Sequence, residues 1–118
     1  MIHTLNLHPQ PFAMIRDGLK TIELRLYDEK RRQIKVGDTL VFVHTEDAKQ
    51  TLAATVTALH RFPDFAALYA ALPLDKCGYL SEEIAAASPA DMNVYYSAER
   101  QSLYGVVGIE IALLEDAI

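Results

Sequence analysis

The chain has 118 residues, of which 51% are apolar and 23% are charged, with one cysteine and a net charge of −5. This length predicts a single domain over residues 1–118 with one ordinary hydrophobic core. One cysteine excludes an intramolecular disulfide and a thiolate zinc site, and no apolar stretch reaches the ~20 residues that a membrane helix needs. We therefore expect a cytoplasmic protein that contacts no membrane and needs neither a metal ion nor a cofactor.

The first half of the chain predicts strands and one short helix. Residues 2–7 alternate between apolar and polar side chains and predict a strand, and residues 11–17 predict a helix that ends at Gly18. Three further strands are predicted by alternation or by β-branched and aromatic content, at residues 20–26, 39–44 and 51–62.

The second half predicts helices and a final strand. An apolar spacing of i, i+3, i+4, i+7 from Phe65 to Leu72 predicts an amphipathic helix, and further helices are predicted at 82–87 and 90–103, before a strand at 105–113. The order β-α-β-β-β-α-α-α-β predicts an α+β fold in which about five mainly antiparallel strands close into a small barrel. Its core should contain the inward residues of four strands: Ile22, Leu24, Val41, Val43, Val56, Val107, Ile109 and Ile111.

Basic residues are concentrated in one segment. Residues 16–35 contain seven Lys or Arg and four acidic residues, whereas residues 51–118 contain three basic and nine acidic residues. Local potential rather than net charge attracts a polyanion, so this segment is the candidate contact for a phosphate-bearing partner. The alternative is a solvated surface that pairs with its own acidic neighbours.

A polar row alternates with the apolar residues of the strand predicted at 20–26. Thr21, Glu23 and Arg25 share one face about 6.6–7 Å apart, and Lys20 precedes them. Lys20 and Arg25 suit a phosphate or a carbonyl, while Glu23 suits an exocyclic amine or a proton transfer. The alternative is an exposed Glu23–Arg25 ion pair worth ~0–1 kcal/mol, so Glu23→Gln is expected to change function more than stability.

Two adjacent aromatic residues form the second candidate group. Side chains of neighbouring helical residues point ~100° apart, so at most one of Tyr95 and Tyr96 can be deeply buried. The other ring would then be available to stack on an unpaired base. The alternative is that both rings pack against the sheet.

Three ordered blocks of sequence resemble the ASCH domain family. GLKTIELR (18–25) reads as GxKTxExR after a short helix, KRRQIKVGDTLVF (30–42) resembles the strand entry of that family, and YYSAERQSLYGVVGIEI (95–111) is similar to its C-terminal block. The resemblance implies a PUA-like β-barrel with a cleft beside the GxKTxExR strand, and a role directed at RNA or nucleosides. It puts Lys20, Glu23 and Arg25 in that cleft.

Some small bacterial relatives in that family are N4-acetylcytidine amidohydrolases that use a lysine, a threonine and a glutamate. Lys20 matches the lysine, Glu23 stands where those enzymes have the threonine, and Thr21 lies nearby. The later acid has three candidate counterparts: Glu82, Glu83 and Glu99. RNA cleavage, also reported among relatives, needs a base and a phosphate clamp, which Glu23 with Lys20 and Arg25 would supply.

We consider three hypotheses for function. The first is an RNA-binding module with a basic cleft for single-stranded RNA or a nucleotide, contacted by Lys20, Thr21, Glu23, Arg25, Lys30, Arg31, Tyr95 and Tyr96. The second is a small metal-free hydrolase, acting on RNA as a ribonuclease or on a modified nucleoside, with Lys20 and Glu23 as its catalytic residues. The third is a protein-interaction barrel with an exposed apolar patch. The first two differ in pocket shape, since an enzyme needs a concave site that excludes water.

Overall fold

Strands and short helices alternate along the first half of the chain, and helices fill most of the second half. The computed structural model describes residues 1–114. Its strands are β1 (Ile2–Leu7), β2 (Ile22–Leu26), β3 (Thr39–His44), β4 (Thr51–Phe62) and β5 (Val106–Leu113). Its α-helices are α1 (Pro9–Arg16), α2 (Glu29–Arg32), α3 (Phe65–Ala71) and α4 (Ala98–Tyr104), and three 3-10 helices lie between α3 and α4 at Leu74–Lys76, Ser81–Ala86 and Pro89–Val94.

The five strands form one mixed sheet in the order β1-β3-β4-β5-β2. β1 pairs with β3 in parallel, and the other three pairings are antiparallel. The sheet curls into a half-barrel, so that its two edge strands approach each other and Arg25 on β2 donates a hydrogen bond to the Asn6 carbonyl on β1 over 2.7 Å. The α+β fold with mainly antiparallel, barrel-like strands is confirmed.

Local sequence explains where the helices begin and end. α1 starts with proline in its first turn and is followed by Gly18, whose φ of 78° is the left-handed conformation expected after a helix. Asp64 accepts a hydrogen bond from the Ala67 amide and caps α3. Asp28 caps α2 in the same way through the Arg31 amide, which makes a helical turn of a segment that the sequence analysis treated as a polar excursion.

The sheet is covered on both faces, so the protein has two hydrophobic clusters. The first fills the half-barrel and contains Leu5, Leu7, Phe12, Ile15, Ile34, Leu40, Phe42, Ala54, Val56, Val107, Ile109 and Ile111. The second lies between the sheet and α3 and contains Ile22, Leu24, Leu26, Phe65, Leu68, Cys77 and Val106. Gly108 allows the second cluster to close, because a Cβ there would lie 2.7 Å from Leu72.

The predicted core is correct for six of its eight members. Ile22, Leu24, Val56, Val107, Ile109 and Ile111 are buried. Val41 and Val43 are only half-buried, and Leu40 and Phe42 lie inside instead, so the prediction for β3 was wrong by one residue. Ile22 and Leu24 were expected inside the barrel but belong to the second cluster, because β2 turns its other face inward.

The helical predictions for the second half were right in position and partly wrong in type. The segment 82–87 is a 3-10 helix at Ser81–Ala86. The predicted helix at 90–103 is divided into the 3-10 helix Pro89–Val94 and the α-helix α4, with Tyr95 to Ser97 between them. In the part of the chain that the structure describes, no helix has the length and apolar character to cross a membrane.

Candidate functional site

A cavity of about 490 Å³ opens where the two edge strands of the half-barrel face each other. Its walls come from the end of β1, the first turns of α1, the strand β2, the helix α3, and the segment between α3 and α4. This volume lies within the range of about 300–1,000 Å³ of small-molecule sites. The cavity is therefore large enough for a ligand and brings together parts of the chain that are distant in sequence.

Glu23 lies in this cavity between two cations. Its Oε1 is 2.8 Å from Lys20 Nζ, and its Oε2 accepts hydrogen bonds from Arg25 Nε and Nη2 at 3.0 and 2.9 Å. Glu23 is only 4% exposed. Burial opposes ionisation, but the charges and hydrogen bonds of Lys20 and Arg25 outweigh it and lower the pKa of Glu23 to about 2. Burial likewise opposes the charge of Arg25, whose pKa is nevertheless raised by Glu23.

The pairing of β2 with β5 explains why this polar row is buried. Glu23 pairs with Ile109 and Arg25 with Val107, and directly paired residues share a face of the sheet. Ile109 and Val107 face the interior of the half-barrel. The row of charges therefore lies on the concave face, not on the exposed sheet surface that the ion-pair alternative required.

A glycine on the opposite wall of the cavity leaves room for the Lys20 side chain. Gly78 has a φ of 108°, and a Cβ on it would lie 3.3 Å from Lys20 Cδ and 3.6 Å from Nζ. The next residue back, Cys77, is buried and lines the same wall, and burial raises the pKa of its thiol to about 11. A thiol in that state is a poor nucleophile, so Cys77 acts here as a packing residue.

A chain of hydrogen bonds forms the far wall of the cavity. Tyr79 donates to Asp91 Oδ2 over 2.7 Å, and the hydroxyls of Tyr69 and Tyr79 are also 2.7 Å apart. Because each hydroxyl has one hydrogen and Tyr79 gives its own to Asp91, Tyr69 donates to Tyr79. The Tyr69 oxygen is left with acceptor capacity only, so it favours a ligand N–H or O–H group. The hydrogen bond from Tyr79 lowers the pKa of Asp91, which keeps this direction fixed.

The two adjacent tyrosines differ in burial, as was expected for neighbouring residues. Tyr96 is half-buried and stacks on Phe65, with ring centroids 6.2 Å apart and an interplanar angle of 16°. Tyr95 is 60% exposed, and both residues line the cavity. Tyr95 therefore presents a ring at the edge of the cavity.

Of the other candidate residues, most lie outside the cavity. Thr21 lies in a separate surface depression beyond Lys20, and its backbone is tied to Lys76 and Ile111. Lys30 is exposed on α2, and Arg31 pairs with Asp28 at 2.9 Å. Among the three candidate acids only Glu83 lines the cavity, and its Oε1 already accepts from the Leu80 amide; the other two are Glu82 and Glu99.

Sequence reasoning missed the hydroxyl chain. Tyr69 was predicted only as part of an amphipathic helix and Asp91 only as part of the helix at 90–103, while Tyr79 lies in none of the predicted elements. Within residues 1–114 no cluster of three or more His, Cys, Asp or Glu residues forms a candidate metal site.

The charged groups that line the cavity are two cations and three carboxylates, Lys20, Arg25, Glu23, Glu83 and Asp91, so its wall is not basic overall.

Arg25 connects the site to the closure of the half-barrel, which leads to a prediction. Arg25→Lys keeps the charge but loses the planar group that reaches Glu23 and the Asn6 carbonyl together. We expect the free energy of unfolding to fall by about 2 kcal/mol in chemical denaturation, since hydrogen bonds to charged groups are worth roughly 1.5–3 kcal/mol. Arg16→Lys, at an exposed pair, is the control and should change it by less than about 0.5 kcal/mol. Equal losses would mean that Arg25 makes no special contribution.

Comparison with known proteins identifies relatives of this chain. The profile of the ASCH domain matches residues 5–115. The crystal structure of hypothetical protein PH0355 is similar with a TM-score of 0.77 and 33% identity, covering 97% of this chain and 100% of that chain. The solution NMR structure of protein PF0455 from Pyrococcus furiosus has a TM-score of 0.69 and 33% identity, covering 98% and 100%.

A more distant structure shares the fold alone. The crystal structure of ASCH from Zymomonas mobilis has a TM-score of 0.60 and 18% identity, and the alignment covers 92% of this chain and 65% of that chain. No curated protein shows significant sequence similarity to this chain.

Proposed function

The chain belongs to the ASCH domain family, which is PUA-like and associated with RNA, and from this membership we propose that its cavity binds a nucleobase of RNA or of a nucleotide. One observation carries the proposal: a cavity of suitable volume combines buried ionic groups with an exposed aromatic ring. Polar groups of fixed direction recognise the edge of a base, and a ring supports its face.

The charges in the cavity favour a base over a phosphate. Lys20 and Arg25, which the sequence suggested as a phosphate clamp, both pair with Glu23 at less than 3 Å. Two further carboxylates, Glu83 and Asp91, line the same cavity and oppose a second anion. An uncharged base fits better, with Lys20 donating to a ring nitrogen or carbonyl and the Tyr69 oxygen accepting from an amine.

Tyr95 offers the sharpest test, because its ring is exposed and its hydroxyl forms no hydrogen bond with any residue from 1 to 114. Stacking on one base is worth about 1–3 kcal/mol, so Tyr95→Ala should weaken nucleotide binding by about tenfold. Tyr95→Phe keeps the ring and should bind as the native protein does. The measurement is calorimetric titration with each of the four nucleoside monophosphates.

The control for this test is the neighbouring residue. Val94 is 84% exposed and does not line the cavity, so Val94→Ala should leave affinity unchanged. Equal affinities for the native protein and Tyr95→Ala would contradict binding of a base in this cavity.

A hydrolase is the second candidate, and the enclosed Lys20–Glu23 pair is the observation that favours it. A lysine next to a carboxylate in a cavity is the kind of group that moves a proton during hydrolysis. Against Glu23 as the base stands its pKa of about 2, because a general base works best with a pKa near the working pH. Incubation with N4-acetylcytidine and with labelled single-stranded RNA tests both chemistries, and product formation that Lys20→Met abolishes would favour the enzyme.

A further inference from the structure

Within the part of the chain that the structure describes, three arginines outside the cavity have no carboxylate partner. The chain contains six arginines, and half of them form ion pairs: Arg16 with Asp17, Arg25 with Glu23, and Arg31 with Asp28. Over residues 1–114 the other three, Arg32, Arg61 and Arg100, form no ion pair, and all three are exposed. Within these residues no carboxylate therefore pairs with the three guanidinium groups, although the chain has a net charge of −5.

These three arginines gather around two tyrosines. The guanidinium carbons of Arg32 and Arg61 lie 4.6 and 5.5 Å from the centre of the Tyr27 ring. That of Arg100 lies 6.0 Å from the centre of the Tyr104 ring. Arg32 joins the two halves, because its Nη2 donates to the Tyr104 carbonyl over 3.0 Å. We call these five residues the arginine–tyrosine cluster.

Hydrogen bonds hold the two arginines beside Tyr27 in position before any ligand arrives. Arg32 Nε donates to the Tyr27 carbonyl over 2.8 Å, and Arg61 Nη1 donates to the Tyr27 hydroxyl over 3.4 Å. Two guanidinium groups beside one ring repel each other, and an anion between or beside them would remove that repulsion. Arginines fixed in this way lose little side-chain entropy on binding phosphate.

The cluster continues the row of side chains that begins in the cavity. Tyr27 follows Arg25 by two residues, so it lies on the same face of the extended chain, and its amide bonds to the Gly105 carbonyl beyond the end of β2. Arg61 pairs with Val107, which in turn pairs with Arg25, and therefore Arg61 shares this face two strands away. Two strand spacings amount to about 10 Å.

We propose that the arginine–tyrosine cluster binds the phosphates and a stacked base of a single RNA strand whose neighbouring base occupies the cavity. The ligand is then a polynucleotide, not a free nucleoside. This inference rests on the function proposed above and extends it: the cavity, with more carboxylates than cations, holds a base, and the cluster, with cations only, holds the strand. Basic residues interleaved with aromatic rings are the usual surface for single-stranded nucleic acid.

The test compares one RNA with single nucleotides. A single-stranded RNA of about twelve nucleotides covers both surfaces, whereas a nucleoside monophosphate reaches only the cavity. We expect the double variant Arg61→Gln, Arg100→Gln to bind this RNA about tenfold more weakly and to bind nucleoside monophosphates as the native protein does. The slope of log K for RNA binding against log salt should be smaller in magnitude by about 1.4, because each of the two lost phosphate contacts contributes about 0.7. Arg32 stays unchanged because its hydrogen bonds support the fold.

A second double variant controls for net charge. Arg16→Gln with Lys49→Gln removes the same two charges from exposed positions outside the cluster and should leave RNA affinity and its salt dependence close to native. If the cluster variant binds RNA as tightly as the native protein while Tyr95→Ala binds it more weakly, the cluster does not contact RNA, and the proposal that a base binds in the cavity is unaffected. If the cluster variant weakens RNA binding but Tyr95→Ala does not, the base does not bind in the cavity.

Discussion

Glu23→Gln is expected to lower the free energy of unfolding by about 3 kcal/mol, because removal of one partner from a buried ionic group leaves the remaining charges without compensation. Glu23 is 4% exposed and pairs with two cations, Lys20 and Arg25, whose side chains are 11% and 13% exposed. Glutamine keeps the shape but removes the charge: its carbonyl oxygen can accept from only one of the two cations, and its NH2 group then faces the other, which is also a donor. Urea denaturation at neutral pH measures the loss.

The same change should alter the acid stability of the protein. The pKa of Glu23 is about 2 in the folded protein and 4.5 in the unfolded reference, so its contribution is complete above about pH 4.5. It is lost as the pH falls toward 2, and the shift corresponds to about 3 kcal/mol. Asp38 titrates in the same range, since His3 and the Lys35 amide lower its pKa to about 2. The difference between native protein and variant therefore isolates Glu23.

An exposed glutamate on the neighbouring strand provides the control. Glu110 pairs with His60 at 3.0 Å and is 43% exposed, so Glu110→Gln should cost less than about 1 kcal/mol. If Glu23→Gln were as stable as Glu110→Gln, Glu23 would behave as the exposed ion-pair residue that was the alternative interpretation of the sequence. A large loss would show that burial, which the sequence analysis missed, decides its energetics.

Alternation along the chain was sufficient to find the strands and the polar row. β1, β3 and β4 begin and end where the sequence predicts, and the residues of β2 separate into apolar and charged faces as expected. The sequence of β2 could not show which face turns inward. That depends on the pairing with β5 and on α3, which covers the apolar face, and both lie at least 39 positions further along the chain.

The candidate site, like the fold, could be predicted from the sequence only where its residues share one strand. Lys20, Glu23 and Arg25 are close together because they share a strand, and a period of two residues reveals that. Tyr69, Tyr79 and Asp91 meet only because α3, the turn before Ser81 and the 3-10 helix Pro89–Val94 approach one another in the fold, and no local pattern encodes such a meeting. The arginine–tyrosine cluster escaped prediction for the same reason, since Arg61 and Arg100 belong to the acidic half of the chain.

The one-residue error in predicting the buried face of β3 has a physical reason. Residues 40–43 are all apolar, so alternation cannot choose between the two faces of the strand. Size decides instead: Leu40 and Phe42 fill the half-barrel more completely than Val41 and Val43 would. We expect Phe42→Ala to lower the free energy of unfolding by about 3–5 kcal/mol, the usual cost of removing a fully buried phenylalanine.

The matched variant is Val41→Ala on the other face of β3. Val41 is only half-buried, so its truncation should cost about 1 kcal/mol or less. Phe42 also pairs with Leu5 on β1, the strand whose next residue, Asn6, accepts the hydrogen bond from Arg25. Phe42→Ala should therefore speed amide hydrogen exchange along β1 as well as lower stability, whereas Val41→Ala should not. Equal losses from the two variants would contradict this orientation of β3 and the closure of the half-barrel that depends on it.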